Sequence, residues 1–417
     1  MKKIFFAISV CITTQMCTNN TITVIDAQTV SVDTTVIYEH IAYLASDELG
    51  GRFPGTEGCQ KAIDYISEQF KKYNFTPLCE NGLQEFEFTI SYVGRTTKET
   101  ISTANVVYYK KGTNLPDEYI VVGAHYDHLG MGGFGFGSRK PDTSAVHNGA
   151  DDNASGVAAM LACAEILEKI ETDRSIIFVA FAAEEKGLLG SKHFVEHAPV
   201  NLRQIKAMIN LDMVGRLDSI LTVSGTGTAT QMDSLLSVAY DENYQSIFQL
   251  KRERSGFGPS DHTSFCKDSV PVLYFHTGIH AQYHTPEDDT ELINLKGCSD
   301  ISNFVISVIQ LLSEKEQILD YQMVGNSQLS MGSIKTTLGI MPDHSSEGIG
   351  MTISGVRVGG VAEKAGLLKN DIIMQIGTKK VQDIESYMKA MNTFKKGDSV
   401  EIIIQRKGEI KAIKVEL

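Results

Sequence analysis

The 417-residue chain contains no tryptophan and no Cys-x-x-Cys pair. Beyond its N-terminus it also lacks any apolar run near the roughly 18 residues that a membrane span needs. These absences argue against an integral membrane domain and against a metal site built from cysteines. Five cysteines follow residue 27, an odd number that allows at most a sporadic disulfide, with Cys59 and Cys79 as the nearest pair.

What the chain does contain is typical of a soluble globular protein. Hydrophobic residues make up 42% and charged residues 21% of the sequence, and the length allows roughly two or three domains. Negative charge is concentrated in residues 1–330, which carry 41 Asp and Glu against 25 Lys and Arg, whereas residues 331–417 carry 10 against 13. An acidic body would repel nucleic acid and could favour a cationic ligand such as a free peptide amine, although solubility alone would explain it equally well.

The N-terminus has the pattern of an export signal. Lysines precede the apolar run 4–12, and a polar stretch then leads to a cleavage pattern that ends at Ala27. We expect residues 1–27 to be a signal peptide and the mature protein to be periplasmic or extracellular. A lipid anchor on Cys11 or Cys17 is the alternative, although neither cysteine follows a typical lipobox.

Apolar segments alternate with helical ones along the first three quarters of the chain. Helical spacing predicts helices over residues 36–44, 58–73, 155–170 and 301–312. Continuous apolar runs predict buried strands over residues 118–124, 175–182, 207–211 and 270–275. The alternation predicts an α/β domain over residues 28–315, in which a mostly parallel, mixed central sheet is flanked by helices on both faces.

The remaining segments are a loop, a linker and a second unit. The Gly- and Pro-rich loop 46–57 is either a plain connector or the border of a binding cleft. Residues 316–330 are polar and predict a linker. Short strand and helix patterns in residues 331–417 predict a small β-rich domain.

Histidines and acidic residues follow the ends of the predicted strands in the first unit. They occur in five short motifs: His125-Tyr-Asp127, Asp151-Asp152, Glu184-Glu185, Asn-Leu-Asp212 and Tyr283-His284. In open α/β sheets the ligand crevice lies beyond the carboxyl ends of the strands, so we expect these motifs to converge. Two imidazoles with three or more carboxylates are the ligands that a pair of hydrolytic zinc ions needs, with one carboxylate to spare. The motifs therefore indicate a hydrolase.

The first two motifs suggest an imidazole ligand and a bridging carboxylate. Asp127 lies two residues from His125, so its carboxylate could accept a hydrogen bond from the imidazole nitrogen that does not bind metal. Asp151 and Asp152 open a helix, and both could simply cap its free amides. One of the two could instead bridge two metals, and Asp152 is our candidate.

The later motifs suggest a general base and further ligands. Adjacent side chains at a strand end diverge, so one carboxylate of Glu184-Glu185 could bind a metal while the other acts as general base, although a solvated acidic turn is the alternative. Asp212 follows a buried strand, where an unpaired carboxylate would cost much free energy, and a partner cation would remove that cost. His284 supplies the second imidazole, and the Tyr283 hydroxyl could donate to the oxyanion of a tetrahedral intermediate.

Together these motifs resemble the secreted bacterial double-zinc aminopeptidase family, whose relatives include glutamate carboxypeptidase, transferrin receptor and glutaminyl cyclase. The resemblance covers roughly residues 38–312. It implies two Zn2+ ions, for which Co2+ or Mn2+ could substitute. It also implies the role of each residue: Asp152 bridges both ions, His125 and Asp212 bind one, Glu185 and His284 bind the other, and Glu184 is the base. Tyr283 matches a tyrosine that some members use on the oxyanion and others lack.

The activity that this resemblance implies is metal-dependent hydrolysis of N-terminal residues from peptides. Carboxypeptidase or glutaminyl-cyclase activity on the same fold is an alternative, although those cyclases place tryptophans at the site and this chain has none. A non-catalytic peptide-binding adaptor is a further alternative. The chain departs from the family in the Gly-rich insertion 129–146, which we expect to border the cleft.

Residues 331–417 resemble a PDZ domain of the bacterial protease-associated type. Leu338-Gly-Ile stands at the expected carboxylate-binding loop, and Gly366-Leu367 and Asn370-Asp371 follow in order. Such a domain would take a peptide or protein ligand by strand addition at its edge. A purely structural appendage is the alternative.

Overall fold

A computed structural model describes residues 31–91, 98–133, 137–140, 142–322, 324, 338–342, 350–356, 360–382 and 384–417. The predicted signal peptide and the two candidate lipid-anchor cysteines lie outside these residues, as does most of the second half of the predicted linker. Within the described ranges, no helix combines the length and apolar character needed to cross a membrane.

The first domain is built on a nine-stranded sheet. Its strands are β1 (Thr76–Pro77), β2 (Leu83–Ser91), β3 (Lys98–Lys110), β4 (Leu115–His125), β5 (Arg174–Phe181), β6 (Ile205–Leu211), β7 (Ile220–Ser224), β8 (Gln249–Glu253) and β9 (Val272–His276). Their order is β1-β3-β5-β4-β6-β9-β7-β8, and β2 pairs with β3. The central strands β5, β4, β6 and β9 run parallel, whereas β3 and β7 join them in the antiparallel sense.

Eight α-helices belong to the described part of this domain, besides several short 3-10 and π turns. They are α1 (Thr34–Leu44), α2 (Glu57–Lys72), α3 (Gly156–Glu168), α4 (Leu189–Glu196), α5 (Met232–Ala239), α6 (Glu242–Gln245), α7 (His262–Lys267) and α8 (Leu295–Ser313). Side-chain caps fix where the two longest helices, α2 and α8, begin, because each cap satisfies a backbone amide that the helix leaves free. Thr56 accepts from the amide of Cys59 at the start of α2, and Asn294 accepts from Gly297 at the start of α8.

Alternate residues of the central strands enter two separate cores. Ile120 and Val122 of β4 pack into a cluster with α1, α2, α3, α5 and α8. Val121, between them, packs into a second cluster with Phe194 of α4 and Phe265 of α7. Since neighbouring side chains of a strand point to opposite faces, helices cover both faces of the sheet. This confirms the predicted α/β architecture.

The C-terminal domain is a small antiparallel sheet with its own core. Its elements are β10 (Ile340–Pro342), β11 (Met351–Val356), α9 (Val361–Lys364), β12 (Ile372–Ile376), β13 (Lys379–Lys380), α10 (Ile384–Met391), β14 (Ser399–Arg406) and β15 (Glu409–Glu416). In the described part of this domain, all paired strands run antiparallel. Ile353, Ile373 and Ile402 are fully buried in its centre. The predicted β-rich second domain is therefore confirmed.

The structure also shows the surroundings of the predicted linker and of the cysteines. The start of the predicted linker packs on the first domain, where the amide of Gln322 donates to the Thr228 carbonyl at 2.7 Å. All five described cysteines are free, so Cys59 and Cys79 form no disulfide. Cys59 lies in the first turn of α2, where its buried thiol is near the hydroxyl groups of Thr103 and Tyr126.

Candidate metal centre

Five predicted ligands meet at the carboxyl ends of the parallel strands. His125 is the last residue of β4, and Asp212 directly follows β6. Glu185 lies in the turn after β5, His284 lies in the loop after β9, and Asp152 lies just before α3. The sheet topology thus gathers side chains that are far apart in sequence, as expected for an open α/β sheet.

Each carboxylate oxygen of Asp152 faces a different imidazole. Oδ1 of Asp152 is 3.3 Å from Nε2 of His125, which lies 3.4 Å from Oδ1 of Asp212. Oδ2 of Asp152 is 3.0 Å from Nε2 of His284, which lies 3.2 Å from Oε1 of Glu185. Two donors bound to one tetrahedral zinc ion lie roughly 3.3 to 3.5 Å apart. The side chains therefore form two clusters, each of a size for one cation, that share Asp152.

The charges of these groups also fit bound cations. Burial opposes a charge on His125 and His284, but the Asp212 and Glu185 carboxylates beside them outweigh it, so both imidazole pKa values lie well above the usual range. Burial likewise opposes the charge of Asp152, yet hydrogen bonds from the two histidines hold its pKa well below the usual value. Such shifts mean that the carboxylates demand positive charge, which metal ions would supply.

The Glu184-Glu185 pair sits in a tight turn that separates the two side chains. Ala183 adopts a left-handed conformation with φ 54°, and a short 3-10 turn begins at Glu184. Glu185 reaches the His284 cluster, as described above. Glu184 is only partly buried. Burial and the carboxylates of Glu185 and Asp261 raise its pKa well above the usual value, although His125 opposes this.

Asp127 plays a different part from the one predicted for its carboxylate. The Nδ1 of His125 donates to the main-chain carbonyl of Asp127 at 3.2 Å, whereas the carboxylate Oδ1 is 3.8 Å from that nitrogen. The carboxylate turns towards β5 and accepts the backbone amides of Glu184 at 2.9 Å and Glu185 at 3.4 Å. Burial raises the Asp127 pKa to about 6. Asp127 thus fixes both the imidazole and the glutamate turn.

The Asp151-Asp152 turn is held from outside by Asp288. Oδ2 of Asp288 accepts the backbone amides of Asp151 at 2.9 Å and Asp152 at 3.0 Å. The Asp151 carboxylate accepts from the amide of Gly215 at 2.6 Å and faces His280, not the imidazoles of the two clusters. Of the two adjacent aspartates, only Asp152 points to the shared centre.

A hydroxyl group orients Asp212. Oγ of Ser260 donates to Oδ2 of Asp212 at 2.6 Å, and Nδ2 of Asn210 donates to Ser260 at 2.7 Å. The bond occupies Oδ2 and leaves Oδ1 directed at His125. Sequence reasoning did not single out Ser260, because a serine in a turn-rich segment gives no sign of its distant partner.

The insertion contacts the second imidazole directly. The Nδ1 of His284 donates to the carbonyl of Gly137 at 3.1 Å, and the amide of Arg139 donates to the carbonyl of His284 at 2.9 Å. The hydrogen bond fixes the ring so that Nε2 faces Asp152. Residues 134–136 and 141 of the insertion lie outside the described ranges.

Tyr283 lies against the same imidazole. Its ring stacks on His284 with a centroid separation of 3.8 Å. Burial, reinforced by the carboxylates of Asp152 and Glu185, raises the phenol pKa well above its usual value. The hydroxyl therefore keeps its proton and can donate a hydrogen bond.

Two further side chains at the site were missed by the sequence reasoning. His128 is fully buried, and with Asp152 and Glu185 it offers nitrogen and oxygen atoms within 4.8 Å of one another. Arg52, in the loop 46–57, is buried and joins three segments of chain through its guanidinium. It donates to the carbonyls of Leu44, Tyr126, Asn148 and Gly149.

Replacing Arg52 with methionine is expected to lower the free energy of unfolding by about 3 kcal/mol or more, because buried carbonyls would lose their donors. Urea unfolding would measure this. Arg139→Met removes an exposed guanidinium from the same region and should change stability by no more than about 0.5 kcal/mol. Equal stability of the two variants would show that the Arg52 bonds contribute little.

Two families match separate parts of the chain. Residues 105–309 match peptidase family M28, and residues 329–417 match the PDZ domain. Both matches confirm the resemblances found in the sequence. The chain is 30% identical over 236 residues to Aminopeptidase YwaD of Bacillus subtilis (strain 168), a match that covers 52% of this chain and 46% of YwaD. The matched segment thus spans less than half the length of that relative.

Solved structures share the fold of the first domain. BSAP, a zinc aminopeptidase from Bacillus subtilis, superposes with a TM-score of 0.54 at 20% identity, covering 69% of this chain and 97% of that one. A glutaminyl cyclase from Bacteroides thetaiotaomicron superposes with a TM-score of 0.56 at 19% identity, covering 67% of this chain and 98% of that one. At these identities the likeness establishes the fold and leaves the choice between the two activities open.

Proposed function

Residues 105–309 belong to peptidase family M28 and residues 329–417 to the PDZ domain family, and from this premise we propose that the protein is a metal-dependent aminopeptidase that uses two zinc ions. One observation carries the proposal: two clusters of donor atoms, each of a size for one cation, share the carboxylate of Asp152. His125 and Asp212 would complete one site, and Glu185 and His284 the other. Co2+ or Mn2+ could take the place of zinc.

When bound, the two ions would lower the pKa of a water molecule towards neutrality and polarise the carbonyl group of the scissile bond. Glu184 would take a proton from the attacking water and later give it to the leaving amine. Asp127 holds the backbone of the glutamate turn, which keeps Glu184 in place for both transfers. The Tyr283 hydroxyl would donate a hydrogen bond to the substrate carbonyl as negative charge develops on its oxygen.

Three features outside the metal centre bear on how the protein would meet its substrates: its negative charge, its PDZ domain and its N-terminal pattern. The excess of acidic residues in residues 1–330 would attract the free amine of a peptide. The PDZ domain would bind a peptide or protein ligand at a sheet edge. The N-terminal pattern of residues 1–27 supports export to the periplasm or the medium.

A set of matched peptides tests the proposed activity. One peptide is offered with a free N-terminus, the same peptide is offered with an acetylated N-terminus, and a third begins with glutamine. The metal-loaded protein should release the first residue of the free peptide, and acetylation should slow hydrolysis by at least about 100-fold, since a site that binds an amine rejects its blocked form. Mass spectrometry would identify each product.

Other products would contradict the proposal in different ways. Release of the last residue would indicate a carboxypeptidase, and pyroglutamate from the third peptide would indicate a glutaminyl cyclase. If elemental analysis finds no zinc, and added zinc or cobalt restores no turnover, the protein would be a non-catalytic peptide-binding adaptor.

A further inference from the structure

His128 occupies a buried position beside the second cation cluster. It lies three residues beyond the end of β4, and its backbone amide donates to the carbonyl of Arg52 at 3.4 Å. Gly149 leaves room for the ring, because a Cβ at that position would lie 2.5 Å from a ring carbon of His128. The fold therefore accommodates an imidazole at this point.

The imidazole contacts the carboxylate that would hold the second cation. Nδ1 of His128 lies 2.9 Å from Oε1 of Glu185, with hydrogen-bond geometry, and 3.9 Å from Oδ2 of Asp152. The same Glu185 oxygen lies 3.2 Å from Nε2 of His284. One oxygen of Glu185 therefore contacts both His128 and His284.

The surroundings of Nε2 of His128 show whether Nδ1 of the same ring donates a hydrogen bond or binds a metal. Nε2 of His128 is buried and has no hydrogen-bond partner among the described residues. If Nδ1 bound a metal, Nε2 would carry the proton, and metal-binding histidines almost always donate that proton to an acceptor. If Nδ1 carries the proton and donates it to Glu185, Nε2 keeps only a lone pair and no buried donor is left unmet.

We propose that His128 is a positioning residue for the cation site of Asp152, Glu185 and His284. Its Nδ1–H group holds the Glu185 carboxylate in the orientation that faces His284, and so strengthens binding of that ion. Asp212 in the other cluster receives its hydrogen bond from Ser260, so each unshared carboxylate has its own side-chain donor. The inference rests on the proposed two-ion function and extends it to a residue outside the ligand set.

Two substitutions at this position separate the donor role from a ligand role. The side-chain amide of His128→Asn can place an N–H group near the position of Nδ1, whereas His128→Ala removes every donor. The metal-free proteins are titrated with zinc against a chelating indicator. We expect His128→Ala to bind one of the two ions about 10- to 100-fold more weakly, and His128→Asn to stay close to the wild type.

X-ray absorption at the zinc edge adds a count of imidazole ligands. With His125 and His284 as the only imidazole ligands, two ions share two imidazoles, an average of about one per zinc, and a third ligand would raise the average to about 1.5. We expect about one in the wild type and in His128→Asn. An average near 1.5 that falls in His128→Asn would make His128 a ligand and overturn the inference.

Control measurements separate the role of His128 from the proposed binding of two zinc ions, on which it rests. His147 is another buried histidine of the same region, hydrogen-bonded to Ser138 and the Ala145 carbonyl, and His147→Asn should bind both ions normally. Thermal unfolding of the metal-free variants checks that each one folds. A wild-type protein that binds fewer than two zinc ions would overturn the two-ion function and the inference together. Two ions in the wild type with unchanged affinities in His128→Ala would overturn the inference alone.

Discussion

Replacement of Glu184 by glutamine is expected to reduce kcat for peptide hydrolysis by about 10²- to 10⁴-fold while the protein keeps both metal ions. Glutamine has nearly the same size as glutamate but cannot accept a proton from water. The backbone of Glu184 would still be held by Asp127, since that bond uses the amide. Steady-state kinetics together with elemental analysis of zinc would test both halves of the prediction.

The matched control is Glu196→Gln, an exposed glutamate at the end of α4, which should hydrolyse peptides at the wild-type rate. Near-normal turnover in Glu184→Gln would exclude Glu184 as the general base. Loss of zinc from that variant would instead show that Glu184 belongs to the ligand set.

Replacement of Asp152 by alanine is expected to weaken the binding of both ions by more than about 100-fold and to abolish hydrolysis. Each oxygen of this carboxylate faces a different cluster, so one substitution removes a donor from both. Outer hydrogen-bond partners of metal ligands are already worth about 10- to 100-fold in affinity, and loss of a direct ligand should cost more. Zinc titration against a chelator, with circular dichroism as a check of folding, would measure the effect.

Asp152→Asn refines this test, because the amide keeps one oxygen donor and replaces the other by an N–H group. It should retain no more than one tightly bound ion. If Asp152→Ala still binds two zinc ions with wild-type affinity, Asp152 does not bridge them, and the proposal that two cation sites share its carboxylate fails.

The sequence predicted those parts of the fold in which burial leaves a strong pattern. The apolar runs 118–124, 175–182, 207–211 and 270–275 lie within or overlap β4, β5, β6 and β9, because strands covered on both faces must be apolar throughout. Strands β2 and β3 were not predicted. From residue 85 to residue 90, β2 alternates exposed and half-buried residues, and β3 begins with three exposed ones, so these segments resemble polar loops when they are read without their partner.

At the candidate site, too, one part could be predicted from the sequence and another could not. Side chains at strand ends could be predicted to meet, because parallel strands direct their carboxyl ends to one edge of the sheet. The groups that orient these side chains could not. Ser260, Arg52 and the carbonyl of Gly137 reach the site through loops whose course depends on tertiary packing, and no local pattern marks their partners. The direction of the Asp127 carboxylate could not be predicted for the same reason, since it is set by the backbone amides of Glu184 and Glu185 in the turn after β5.

The spread of the ligands along the chain bears on when the protein can acquire metal during its synthesis. The first imidazole ends β4, and the second lies beyond β9, so a nascent chain that has not yet reached residue 284 has only part of the second cluster. Contacts this distant in sequence also require closure of a long loop, which costs chain entropy before the contact can form. Ions that bind only the completed site would stabilise the folded chain over its unfolded forms. Metal uptake would then be a final step of maturation that follows synthesis of the whole first domain.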